Sequence, residues 1–201
     1  SFHVAFPDPV FAVVVADHMG KDVNDMTSME ELAAYTGSLN VGVTYLRDAE
    51  GEIVRVHSLK GIGYLTGITS FANFKNDVES IPAEIGKLVN LTEINLLKSY
   101  GLKHISPEIG KLSQLKLFNA ALTQLEELPS EIGQLKKLEE LNVTATKLTV
   151  IPDEIGNIAS LKKLDIHSNK IAFLPDSICN LTKLEELDAS DLKLTALPEN
   201  M

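Results

Sequence analysis

Apolar residues recur along this chain with two short periods nested inside one long one. In and just beyond the stretch 128–150 they fall at Leu135, Leu138, Leu141, Val143 and Leu148, followed by Ile151 and Ile155. Around Leu141 and Val143 they alternate with polar neighbours, the period-two signature of a strand with one face buried, whereas Pro152–Leu161 carries the spacing of a helical or 3₁₀ segment. The unit is therefore a strand, a turn and a short helical return. Its opening phrase repeats as Ile81-Pro-Ala-Glu-Ile-Gly86, Ile105-Ser-Pro-Glu-Ile-Gly110, Leu128-Pro-Ser-Glu-Ile-Gly133, Ile151-Pro-Asp-Glu-Ile-Gly156 and Leu174-Pro-Asp-Ser-Ile-Cys179, and Leu197-Pro198-Glu199 starts another; the interval is 24 residues once and 23 thereafter. Ser58–Leu65 aligns with Ile81–Leu88 as an earlier copy. The array then has six units, 58–80, 81–104, 105–127, 128–150, 151–173 and 174–196, plus a stub. A repeat of this length predicts a solenoid with strands side by side at about 4.8 Å in a parallel sheet and helical returns on the other face.

Residues 1–57 follow a different pattern. Phe2–Pro9 reads as an extended lead-in. Asp8 is placed to cap a helix with Pro9 at its first position, running through Met19 to a left-handed stop at Gly20. Thr27 and Glu30 read as a capping box for a second helix that carries Met29, Leu32 and Ala33 on one face and ends near Gly37. Leu39–Arg47 and Glu52–His57, with 48–51 as the turn, predict a β-hairpin. Two helices and a hairpin would form an α+β cap over the first repeat, since a bare solenoid end leaves its apolar core in water.

The spacing Leu161-x-x-Leu164-x-Ile166-x-x-Asn169-x-Ile171 resembles the leucine-rich repeat. The 23-residue form with L/I-P-x-E-I-G is similar to repeats of bacterial leucine-rich proteins and of eukaryotic intracellular Ras-associated leucine-rich proteins. Phe6-Pro7-Asp8-Pro9, Gly20-Lys21, Val23, Leu32-Ala33, Ser58-Leu59, Gly61-Ile62 and Tyr64-Leu65 resemble the N-terminal cap of internalin-like proteins of bacterial surfaces. The resemblance implies an α/β leucine-rich repeat solenoid, a curved horseshoe with its parallel sheet on the concave face. It also implies an asparagine ladder, whose slot holds Asn76, Ser99, Thr123, Thr146, Asn169 and Leu192; Ser and Thr retain part of the amide's bonding and Leu192 none. The additional residue at Tyr100-Gly101 implies a local bulge.

Charge narrows the partners. Residues 1–57 hold three bases against nine acids, and the whole chain has a net charge of −10, which opposes attraction to nucleic-acid phosphates and anionic lipid. The most apolar run, Val10–Ala16, is too short to insert in a membrane. Cys179 is the one cysteine, in a slot otherwise held by glycine, and reads as a buried structural thiol. The chain begins with Ser1, which leaves room for a removed export signal.

Outward strand positions define the candidate binding face. They are Phe74; Glu93, Asn95 and Leu97; Leu117 and Asn119; Glu140, Asn142 and Thr144; Lys163, Asp165 and His167; and Glu186 and Asp188. The central column of amides and carboxylates offers repeated polar contacts, and Phe74, Leu97 and Leu117 an apolar patch. No catalytic constellation is legible, no cofactor is implied, and His3, His18, His57, His104 and His167 lack metal-ligand spacing. Asp22-Val23-Asn24-Asp25 departs from a calcium loop and reads as a polar turn. The expectation is a non-catalytic module of a bacterial cell-surface or secreted protein that binds a protein or glycan. The alternatives are an intracellular (cytoplasmic) scaffold, or the recognition part of a larger protein with an activity elsewhere. With Leu192 and Leu194 at an uncapped end, either the repeats continue or a homodimer covers that edge.

Overall fold

The computed structural model describes residues 2–25, 27–42, 47 and 50–198. Its organising feature is a seven-stranded parallel sheet with one strand per coil. In order these are β1 (Gly37–Asn40), β2 (Ile68–Ala72), β4 (Glu93–Asn95), β6 (Leu117–Asn119), β7 (Glu140–Asn142), β8 (Lys163–Asp165) and β9 (Glu186–Asp188). A second, two-stranded pair, β3 (Ser80–Ile81) with β5 (His104–Ile105), lies outside that sheet. Each return is a 3₁₀ turn, at Ile62–Tyr64, Ala83–Lys87, Pro107–Lys111, Ser130–Gln134, Asp153–Asn157 and Asp176–Asn180. The α/β solenoid expected from the repeat is the architecture.

An inward residue of each strand from β1 to β8 in the seven-stranded sheet, Leu39, Phe71, Ile94, Phe118, Leu141 and Leu164, lies in one continuous core with the Ile of each return, and Leu187 of β9 packs against it partly buried. The glycine after that Ile has a packing reason. A Cβ on Gly133 would lie 2.4 Å from the Glu154 carbonyl oxygen, and one on Gly156 would lie 2.3 Å from that of Ser177. The returns stack too closely for any side chain there. Cys179 occupies the equivalent slot and is half-buried rather than buried.

The ladder runs through the expected slots. Asn169 donates from Nδ2 to the Val143 carbonyl at 2.9 Å and accepts at Oδ1 from the Thr146 amide at 3.2 Å and its hydroxyl at 2.6 Å. Thr123 donates to the Ala120 carbonyl at 2.9 Å, and Ser99 donates to the Asn73 carbonyl. Asn76 donates to the Val41 carbonyl and accepts from the Val56 amide at 3.1 Å, so the first slot ties the cap segment to the repeats. Asn73 was not legible as a ladder residue. It fills a core position, fully buried, and is satisfied by Asn76 and Ser99. The inserted Tyr100-Gly101 forms a turn closed by Leu102 N–H donating to the Ser99 carbonyl at 3.0 Å, and leaves the strand register intact.

Directly before each ladder slot the backbone is left-handed: Lys75, Lys98, Leu122, Ala145, Ser168 and Asp191 all have φ between 50° and 61°. None is glycine, so each coil carries local strain of about 1–2 kcal/mol. Ala145→Gly relieves it at some cost in unfolded-state entropy. The net expectation is a gain of about 0.5–1 kcal/mol, read as a rise of roughly 2 °C in the thermal midpoint.

Ahead of the repeats the structure departs from the sequence reading in three places. Phe2–Ala5 forms a helical turn, α1, not an extended lead-in, because Phe2 and Phe6 sit four residues apart and both are buried. Helix α2 (Pro9–His18) starts and stops as expected, with Gly20 at φ 65°. Helix α3 (Met29–Ala34) is capped one residue later than the Thr27–Glu30 reading. Ser28 accepts from the Glu31 amide at 3.0 Å, Glu31 accepts from the Ser28 amide at 2.9 Å, and Thr27 donates to the same carboxylate.

These bonds, with Lys21, hold the Glu31 pKa down from 4.5 to about 2, the Ser28 amide being the largest cause. Since the folded value lies below the ordinary one, the box contributes fully above about 4.5 and is lost as pH falls towards 2. A carboxyl-carbon NMR titration should place the Glu31 midpoint near 2, moving upward in Lys21→Ala, which removes the side-chain bond that this lysine donates to the carboxylate.

The third departure concerns the hairpin. Leu39 and Asn40 pair in parallel with Phe71 and Ala72, so this part of the expected first strand belongs to the solenoid sheet. An antiparallel bridge joins Arg47 to Ile53; of the expected hairpin, residues 43–46 and 48–49 lie outside those described.

Candidate partner-binding face

Pairing in strict register sets the candidate residues in rows. Glu93, Leu117, Glu140, Lys163 and Glu186 align as one column; Asn95, Asn119, Asn142, Asp165 and Asp188 form the next. Phe74, Leu97, Thr144 and His167 follow two residues on in their own coils, beyond the paired segments.

The central column has a structural task that the sequence did not disclose. Asn95, Asn119 and Asn142 each accept at Oδ1 from the backbone amide two residues on, at 3.2, 3.0 and 3.0 Å. Asp188 does the same to Ser190 at 3.0 Å. These side-chain turns steer the chain out of β4, β6, β7 and β9, which explains an amide or carboxylate at those positions; among the described residues, Asp165 on β8 makes no such bond. Each acceptor oxygen thus already takes one backbone N–H. Among the described residues, Nδ2 of Asn95 and of Asn119 has no protein partner, whereas that of Asn142 reaches Asp165 at 3.3 Å. Asn40 lies in the same column two coils before Asn95, with Ala72 between, and accepts from the Gly42 amide at 2.8 Å. Leu39-Asn40-Val41 repeats Leu141-Asn142-Val143, a signal hidden by the hairpin reading.

Two expected contacts are less available. Thr144 is only 9% exposed, and its hydroxyl oxygen is buried without a hydrogen-bond partner. Phe74 is half-buried over Gly42, where an added Cβ would come within 2.5 Å of its ring. Leu97 and Leu117 are half-buried and supply the apolar surface.

Charge on these columns is Glu93 on β4, then Glu140, Lys163, Asp165, Glu186 and Asp188 from β7 to β9. Lys163 lies 2.9 Å from Glu186 and 3.9 Å from Asp165. Its hydrogen bond to Glu186, with the field of both carboxylates, pushes its pKa up. Bonds from the Ser190 hydroxyl and amide pull Asp188 down, so it stays ionised. His167 bonds the Ser168 hydroxyl at 3.0 Å. Leu117, Asn119, Glu140, Asn142, Lys163 and Asp165 line a depression of about 220 Å³. A larger open groove of about 540 Å³, which the sequence did not signal, is lined by His57, Lys60, Asp77, Glu79 and Glu84. Among the described residues there is no group of three or more His, Cys, Asp or Glu able to hold a metal, and no helix is long and apolar enough to cross a membrane. Asp22–Asp25 is a polar turn, Asp22 accepting from the Asn24 amide at 2.8 Å.

One strand per coil, a ladder of buried polar side chains and 3₁₀ returns define the class: a solenoid scaffold of the kind used for protein interaction. The chain belongs to the leucine-rich repeat family, whose leucine-rich repeat region model matches residues 90–201. A leucine-rich repeat protein of Leptospira interrogans is similar over 86% of this chain and 47% of its own, at 28% identity and a TM-score of 0.65. The plant peptide hormone receptor RGFR1, solved in complex with RGF2, is similar over 67% of this chain and 22% of its own, at 29% identity and a TM-score of 0.61. Internalin C2 of Listeria monocytogenes shares the fold over 97% of this chain and 89% of its own, at 21% identity and a TM-score of 0.59. The chain thus spans under half the length of the Leptospira protein and about a fifth of the plant receptor. No curated protein matches it.

Proposed function

We propose that this chain is a non-catalytic recognition module of a bacterial cell-surface or secreted protein, gripping an extended stretch of a protein partner across its concave sheet. Residues 1–57 serve as an internalin-like cap over the first coil. The observation that carries the reading is the pair of outward amides in register, Asn95 and Asn119, whose oxygens each accept a backbone N–H and whose Nδ2 groups have no protein partner among the described residues. Free donors in register, next to half-buried Leu97 and Leu117, suit an extended backbone rich in carbonyl acceptors. The plant receptor solved with RGF2 lends support from a related scaffold.

The test is selection of binders to the immobilised chain from a displayed random 12-residue peptide library, followed by competition with soluble variants. Asn119→Arg with Asn142→Arg should abolish competition at least tenfold, while Glu126→Arg, away from this sheet face, should leave it unchanged. Binders indifferent to the sheet-face variant would overturn the reading.

A further inference from the structure

Resting on that reading, the distribution of charge and apolar surface says what the partner segment is made of. From β7 to β9 the face carries Glu140, Asp165, Glu186 and Asp188 against Lys163 alone. That lysine is already held by two of those carboxylates. Nearer the cap, the same columns hold Glu93, Asn95, Asn119, Leu97 and Leu117. The left-handed column beside them runs in the same sense, from Lys75 and Lys98 through Leu122, Ala145 and Ser168 to Asp191. Glu93 is one carboxylate beside two lysines, Lys75 and Lys98, whereas β7 to β9 hold four carboxylates and Asp191 against Lys163, so the face becomes more negative towards β9.

We propose that the partner is a basic peptide segment with an apolar anchor, lying across the strands in one orientation. An aliphatic or aromatic side chain rests between Leu97 and Leu117, and a Lys or Arg reaches the Glu186 and Asp188 end. Three strand steps separate β6 from β9, roughly 14 Å at the usual inter-strand spacing. An extended chain covers that in about four residues, so anchor and cation stand about four positions apart. A cation there displaces or outcompetes Lys163 as the carboxylates' partner and gains from a surface that is already paired on one side only. Complementary charge also fixes direction, because reversal would set the cation beside Lys75 and Lys98.

Sequencing of peptides enriched from the same library tests the composition. The expected result is an apolar residue and a Lys or Arg about four positions apart in most of the enriched peptides. Synthetic copies should lose at least tenfold in affinity when the cation is replaced by Glu, or when the protein carries Glu186→Lys with Asp188→Lys. Raising salt from 50 to 500 mM should weaken binding several-fold. The double reversal lies on exposed and half-exposed side chains, and its circular dichroism and thermal midpoint check that it folds. Enriched peptides that compete at the sheet face but lack cations, or that ignore the reversal, overturn this proposal and leave the broader reading standing. Peptides that bind elsewhere, or no enrichment at all, overturn both.

Discussion

Asp8→Ala is expected to destabilise the N-terminal segment by about 3–4 kcal/mol, read as a selective gain in amide exchange over residues 2–20 and 56–62. The carboxylate is buried and serves three donors. Oδ1 accepts from the Phe11 amide at 2.9 Å, capping α2, while Oδ2 accepts from the amides of His57 and Ser58 at 2.8 and 2.9 Å. An N-cap alone is worth about 1 kcal/mol and a hydrogen bond to a charged group about 1.5–3, less than additively here because one group makes all three. Removing it strands three backbone donors, two of them about fifty residues distant in sequence. Asp8→Asn separates capping from bridging: it keeps one acceptor oxygen and turns an NH₂ group towards N–H donors, so about half the loss is expected. Coils from residue 105 onward should exchange as before, since each coil depends on its neighbours and not on the far end. Uniform acceleration along the whole array would contradict this.

The second large effect is Gly133→Ala, for which a loss of about 2–3 kcal/mol is expected by chemical denaturation. The new Cβ meets the Glu154 carbonyl oxygen at 2.4 Å, its Cβ at 2.7 Å and its carbonyl carbon at 3.0 Å. Backbone atoms of the next coil cannot swing aside as a side-chain tip can, so the two coils must part. Gly110→Ala is the contrast. One of its two nearest contacts, at 2.8 Å, is the mobile tip of Gln134, and the other, Glu131 O, is also at 2.8 Å. A loss nearer 1 kcal/mol is expected there. Equal losses at both positions would mean that the returns are not held at fixed spacing.

How much of this was legible follows from how local each cause is. The strand, turn and return of every coil are written in side-chain period, and the Ile-Gly phrase marks both a core position and a close approach, so the solenoid and its sheet-face columns could be read directly. The Asp8 cap and Gly20 stop were equally local. What escaped depended on contacts across many residues. Leu39-Asn40 has a strand's composition, and composition alone does not say whether its partner is the next strand or Phe71, about thirty residues on. Thr27 and Ser28 are interchangeable as caps on paper, and only packing of α3 decides that Ser28 takes the role. Among the candidate site residues, register alone did not tell the half-buried Asn column from Thr144, which is buried. The structural use of the Asn oxygens was also invisible, because a side-chain turn and a surface amide have the same spelling.

The turn at Tyr100-Gly101 carries a consequence for anyone wishing to equip this scaffold. It admits one residue more than its sister coils while Glu93 still faces Leu117 and Leu117 still faces Glu140. The corner between a ladder residue and the following core aliphatic is thus a natural splice point. A fluorescent reporter or epitope loop grafted between Ser99 and Leu102 would ride on the rim with Tyr100, whose side chain already stands in solvent, and would leave the columns of the sheet face untouched.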